Sequence, residues 1–140
     1  MPKTIADQSK RLSIWLQERA IPLWSSRGID GETGACYERL TIDGLADCNT
    51  DIHVRVQARQ AFSFAAAYDR GWSSDGNSLA LNILRFSQNN ARTSAEGIGF
   101  GHVLNRHFQL ADSREDLYDQ AFFLLAYAWM YRVTASKNWI

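Results

Sequence analysis

Residues 121–131 read AFFLLAYAWMY, eleven consecutive positions without a charge. No other stretch limits the fold so strongly. It falls well short of the about 20 apolar residues that a membrane-spanning helix needs. Asp116 and Asp119 stand just before it and Arg132 just after. The expectation is a buried helix of a water-soluble protein, apolar all round. A helix of that kind needs neighbours on more than one side.

The rest of the chain supplies helices in a regular order. From about Thr4 to Trp24, Ile5, Leu12, Trp15, Leu16, Ala20 and Leu23 recur at steps of three and four, opposite Lys10, Arg11, Gln17 and Glu18. This spacing predicts a helix with one wet side, which Pro22 is expected to kink or end. A turn-rich stretch, SSRGIDGETGA, leads to Cys36–Ile42, read as a short strand, and to a turn at Asp43-Gly44. A second helix is expected from Thr50 or Asp51, either able to cap it, to about Arg70. Val54, Ala58, Ala61, Phe62, Ala65 and Tyr68 form one apolar face of it, and Phe64, Ala66 and Ala67 carry that character round its second half. A third, one-sided helix spans Gly76 to Asn90, with Leu79, Ala80, Ile83 and Leu84 on its stripe. Gly97–Asn105, GIGFGHVLN, reads as a short strand and turn. The fourth helix opens at Ser113-Arg-Glu-Asp116, which has capping spacing, and runs to about Thr134.

The helices thus alternate outer, inner, outer, inner, each pair repeating at roughly 60 to 65 residues, the pattern of stacked helical hairpins in a solenoid or a closed toroid. The fold class is all-α, with short hairpin-like loops.

Charge removes several functions. Lys plus Arg and Asp plus Glu are 15 each, so the formal charge is zero. Neither a nucleic-acid footprint nor a polybasic membrane anchor is expected. Cys36 and Cys48 form no metal or redox motif and are read as free thiols of a reducing cytoplasm. The N-terminus lacks an apolar segment of the signal-peptide kind. His53, His102 and His107 have no acidic or Cys neighbours at ligand spacing, so no metal is expected. GIGFG neither follows a strong strand nor opens a helix, which argues against a nucleotide loop.

Three places carry chemistry. Arg55 and Arg59 lie one turn apart on the second helix. A guanidinium in apolar surroundings needs a carboxylate or an anionic or polyhydroxyl ligand. Arg59 is therefore either a ligand-orienting group at a pocket mouth or half of an ion pair with Glu38, Asp119 or a segment outside this chain. His102, on a loop, is suited to bonding a sugar hydroxyl or moving a proton, and equally to packing. Tyr118, Asp119 and Gln120 open the fourth helix, where they either face a pocket or form a solvated first turn.

Together the segments IPLWSSRGIDGETGACYERLTIDG, RVQARQAFSFAAAYDRGW, GFGHVLNR and DLYDQAFFLLAYAWMYRVT resemble the N-acylglucosamine 2-epimerase family, which includes mannose isomerases. The resemblance implies an (α/α)6 toroid with the sugar at the centre of the inner helix ring. It implies sugar contact by Arg59, an aromatic pocket residue at Tyr118, a loop His at His102, and a weaker match at Glu38. At Gln120 the family often has His. No cofactor or metal is implied. The expected partner is a mannose-like sugar or an N-acylhexosamine, isomerised or 2-epimerised by proton transfer through a cis-enediol(ate). Four helices in 140 residues is about 35 per helix, so twelve would need about 420. Residues 1–140 are accordingly expected to be the N-terminal part of a single toroid domain, truncated, with the family's principal acid-base histidines lying further on.

Two other readings stand beside this. One is a non-catalytic helical module whose inner helices self-associate through Phe122, Leu125 and Trp129. The other is a toroid glycosidase, which needs two well-placed carboxylates, with Glu38 and Asp119 as the available pair.

Overall fold

The computed structural model describes residues 4–135. Its first helical rod consists of α1 (Ile5–Trp15), one π-helical turn (Leu16–Ala20) and α2 (Ile21–Arg27). Thr4 and Asp7 close a capping box: the Asp7 N–H donates to Thr4 Oγ1 (3.1 Å) and the Thr4 N–H to Asp7 Oδ2 (3.1 Å). Pro22 does not end the rod. It falls in the first turn of α2, directly after the π turn, where the hydrogen-bond ladder already shifts register and a missing N–H is least costly. The helix therefore continues past Trp24 to Arg27. None of its residues is fully buried, and Ile5, Leu12, Trp15 and Leu23 lie exposed. Only Ile21 and Trp24 pack against the core.

No strand forms over Cys36–Ile42. The stretch makes single bridges, Ile29↔Cys36 and Leu40↔Ala46, because tight turns fold the chain back after one pairing. Two of those turns use glycines in the left-handed region, Gly34 (φ 77°) and Gly44 (φ 75°). The Cys36 main chain finds its partner elsewhere. The buried Gln57 amide donates Nε2–H to the Cys36 carbonyl and accepts the Cys36 N–H at Oε1, both at 2.7 Å.

The second helix starts later than its capping residues suggested. Ile52–His53 is drawn into a strand, β1, and α3 runs Val54–Asp69 with His53 at its N-cap and no side-chain cap. α4 follows at Gly76–Asn90, then β2 (Val103–Leu104), β3 (Leu110–Asp112) and α5 (Leu117–Thr134). The strands form an antiparallel sheet in the order β1-β2-β3, with Ile52↔Leu104 and His53↔Val103 in register. Asp116, not Ser113, caps α5, its side chain accepting the Tyr118 N–H at 2.8 Å.

α3 lies between α4 and α5. Its small residues Ala58, Ala61 and Ala65 are fully buried and allow close approach. Ile83 and Leu84 meet them from α4, and Phe123, Ala126 and Met130 from α5. A Cβ at Gly76 would stand 2.5 Å from the Phe64 carbonyl oxygen, so α4 can begin there only on glycine. α5 was expected to be buried all round. It buries one stripe, Asp119, Phe123, Ala126 and Met130, while Leu117, Leu124 and Tyr131 face outward, because α3 alone packs extensively against it.

The helical repeat holds in detail. Gln120 grips Phe100 as Gln57 grips Cys36: the Phe100 N–H donates to Gln120 Oε1 (3.0 Å) and Gln120 Nε2 to the Phe100 carbonyl (2.7 Å). The two glutamines stand 63 residues apart, as do the starts of α3 and α5. Each inner helix thus anchors the loop that enters its own hairpin.

Candidate functional site

The loops and the sheet gather the polar residues at the N-terminal ends of the two inner helices. Glu38 accepts the His53 N–H (2.8 Å) and lies 3.0 Å from His53 Nδ1. β1 pairs with β2, which sets His53 beside His102 with rings edge to face at 5.6 Å. The His102 main chain is clamped on both sides, its N–H on the Asp112 carbonyl (2.8 Å) and its carbonyl on the Val54 N–H (2.9 Å). Its Nδ1 is 2.6 Å from Asp119 Oδ2. Asp119 is fully buried, and Arg55 Nη1 reaches its other oxygen at 3.4 Å. The Arg55 guanidinium also lies over the Tyr118 ring, 5.9 Å from its centre. Glu38, His53, His102, Asp119, Arg55 and Tyr118 therefore form one connected chain of polar groups.

Arg59, one turn along α3, is placed differently. Its guanidinium lies over the Phe122 ring at 5.3 Å and meets no carboxylate within ion-pair distance among the described residues. Of the ion-pair partners considered from the sequence, Asp119 is taken by Arg55 and His102, and Glu38 by His53. Arg59, Glu38 and Trp24 line an open cleft of about 250 Å³ together with Val56, Gln60 and Ser63. Tyr118 is exposed and stands edge to face, at 5.0 Å, with Phe122, the ring over which Arg59 lies. Gln120 faces elsewhere, since both ends of its amide hold the Phe100 backbone. Four of the five expected site residues, Glu38, Arg59, His102 and Tyr118, thus belong to one connected region, while Gln120 is engaged by the Phe100 backbone. A second cleft of about 470 Å³, between residues 31–34 and α4, includes none of them.

His53, Arg55 and Asp119 were noted in the sequence, but their pairings, His53 with Glu38 and Asp119 with both His102 and Arg55, were not anticipated. One signal pointed to Asp119: a carboxylate at the start of so apolar a helix must find a partner on folding. For His53 there was none, because Glu38 lies 15 residues away and the sheet brings the two together. As glycosidase carboxylates Glu38 and Asp119 are poorly placed, both being engaged by imidazoles and Asp119 having no solvent contact. Cys36 and Cys48 are free thiols, as expected, the first buried and the second exposed. Among the described residues, no three His, Cys, Asp or Glu side chains stand together as metal ligands.

An unpaired guanidinium, a phenol, two carboxylate-braced imidazoles and exposed aromatic surface provide donors, acceptors and a stacking face. That combination suits an anionic or hydroxyl-rich ligand.

The chain is 39% identical over 132 residues to the mannose-6-phosphate isomerase of Rhizobium meliloti, covering 94% of this chain and 33% of that protein. Its fold superposes on a sugar epimerase from a ruminal bacterium (TM-score 0.80, 23% identity, 93% of this chain and 33% of that one). It also superposes on a D-mannose isomerase (TM-score 0.77, 22% identity, 94% and 32%). These likenesses establish the fold as four helices of an (α/α)6 toroid. The chain spans about a third of the length of each of these relatives. The family model for N-acylglucosamine 2-epimerase matches residues 35–139, well over half of the sequence, and the chain therefore belongs to the N-acylglucosamine 2-epimerase family.

Proposed function

We propose that this chain is the N-terminal part of a cytoplasmic sugar isomerase or 2-epimerase and supplies part of its sugar site. The observation that carries the reading is Arg59, a guanidinium in a cleft with aromatic neighbours and no carboxylate partner among the described residues. Such a group can orient the oxygens of an open-chain mannose-like sugar or N-acylhexosamine and stabilise negative charge developing on them. The reaction is removal of the proton from C2 of the aldose, giving a cis-enediol(ate). Reprotonation at C1 yields a ketose and reprotonation at C2 the epimer. Tyr118 and His102 bind hydroxyls, with Glu38 at the rim. The family resemblance puts the principal acid-base histidines in later helices, so the 140-residue chain alone is expected to bind sugar weakly and turn over little or none. D-Mannose titration followed by NMR tests this. Arg59→Ala should weaken binding about tenfold, the loss of roughly one charge-assisted hydrogen bond. Undiminished binding by that variant, or brisk mannose-to-fructose conversion by the pure chain, refutes the reading.

A second reading, a helical module that self-associates through its inner helices, is favoured by the outward-facing Leu124 and Leu125 of α5, although Phe122 and Trp129 pack partly against the core. It predicts a discrete oligomer with no sugar binding, which light scattering beside the same titration distinguishes.

A further inference from the structure

We infer that Asp119 is a positioning residue that holds the His102 imidazole in its Nδ1–H tautomer, so that Nε2 carries the lone pair and accepts a hydrogen bond from a sugar hydroxyl. The second half of this inference rests on the sugar-site reading; the first half does not.

Asp119 has no solvent-exposed surface, and a buried carboxylate must have its charge and lone pairs met from within the protein. Arg55 supplies a countercharge at Oδ1, 3.4 Å away. Oδ2 meets His102 Nδ1 at 2.6 Å, a short charge-assisted contact. A carboxylate offers acceptors only, so the hydrogen in that contact belongs to the imidazole. In a neutral ring with Nδ1 protonated, Nε2 is left as the acceptor. The ring cannot readily turn to exchange its nitrogens. The His102 main chain is pinned at the Asp112 carbonyl and the Val54 N–H, and the side chain is mostly buried. Gly101 makes this possible: a Cβ there would come within 2.5 Å of Leu110 Cδ1 and 2.8 Å of the Asp112 carbonyl oxygen, forcing β3 away. Arg55 is steadied in turn by the Tyr118 ring. The order of control therefore runs from α3 and α5 through Asp119 to the tautomer of a loop histidine. Glu38 braces His53 in the same way but nearer solvent, His53 keeping 39% of its side chain exposed against 16% for His102.

The test uses the 140-residue chain labelled with 15N-histidine. Two-bond 15N–1H correlation spectra report which ring nitrogen carries hydrogen, once the pH is raised until the rings are neutral. His102→Gln assigns the signals. The expected result is a protonated Nδ1 and a bare Nε2 for His102. Asp119→Asn presents an amide that can donate to Nδ1, and it should shift the population toward the Nε2–H form, as an equivalent exchange does in hydrolase triads. Asp119→Glu should restore Nδ1–H. A far-UV circular dichroism spectrum unchanged from the wild type shows that the variants remain folded. If Asp119→Asn does not fold, the wild-type spectrum and Asp119→Glu still decide the question. A wild-type His102 in the Nε2–H form, or a tautomer indifferent to Asp119→Asn in a folded protein, overturns the inference whether or not sugar binds. D-Mannose is then added to the wild type. Movement of the Nε2 resonance supports the acceptor role. No movement, with the tautomer as expected, removes the sugar role of His102 and leaves the positioning by Asp119 standing.

Discussion

Two glutamines, one buried and one partly buried, hold loop backbone as a neighbouring strand would. Gln57 has no exposed surface and satisfies both main-chain groups of Cys36. Gln57→Leu keeps the volume and leaves that N–H and C=O without partners, so a loss of about 2 to 4 kcal/mol is expected, measured by urea unfolding. Gln120→Leu should cost less, its side chain being only partly buried. Cys36 sets a pH limit. Burial pushes its thiol well above the usual range, whereas the unfolded chain ionises near the ordinary value of about 8.5. The contribution is therefore complete below pH ~8.5 and is lost as pH rises, at up to roughly 1.4 kcal/mol per unit. Tyr37, pushed up to about 12 chiefly by burial and then by its hydrogen bond to Asp30, adds a loss of the same sign at more alkaline pH. Urea midpoints taken from about pH 7.5 to about pH 10 should fall steadily, and Cys36→Ala should flatten the first part of that decline. At this scale the sequence was partly legible. Arg59 stood out as a charge within an apolar helix. Gln57 did not, because a glutamine beside Arg59 and Gln60 looks like any solvated residue until its partner 21 positions away is known.

Helices and strands were unequally legible. The helices carry their own periodicity, and α4 and the end of α5 fall where the spacing puts them. Their starts depend on which competing cap wins. At α5 the winner is Asp116, so Asp116→Ala should cost about 1 kcal/mol of stability while Ser113→Ala stays within about 0.5 kcal/mol, a contrast thermal melts resolve. At α3 neither Thr50 nor Asp51 wins, because pairing with β2 extends the chain through His53. The three strands have two or three residues each, too few for alternation to show, and β3 was not anticipated. Gly76 marks a further constraint between elements. Gly76→Ala drives a methyl group against the Phe64 carbonyl and should destabilise by about 1 to 3 kcal/mol, read from the same melts.

In the molecule as a whole, the four helices describe an arc of a toroid with an open apolar face on α1 and another on α5. Leu124 is 74% exposed on the latter. Leu124→Glu should leave stability within about 0.5 kcal/mol and lower both dye binding and self-association, since no described packing is lost and an apolar patch is interrupted. An equal drop in stability would show that the face is covered in solution. The alternation of one-sided and all-apolar helices, the hairpin period and the candidacy of Arg59 came from the sequence alone. Each is a property of near neighbours along the chain, and helical spacing turns such neighbours into faces. Tertiary structure alone decided that Asp119 braces His102, that Glu38 meets His53, and that Gln57 and Gln120 serve loops. Those contacts join residues 15 to 21 positions apart, brought together by helix packing and a three-stranded sheet. No local pattern encodes such a meeting, because each partner's side chain has many places to go until burial removes water as the alternative.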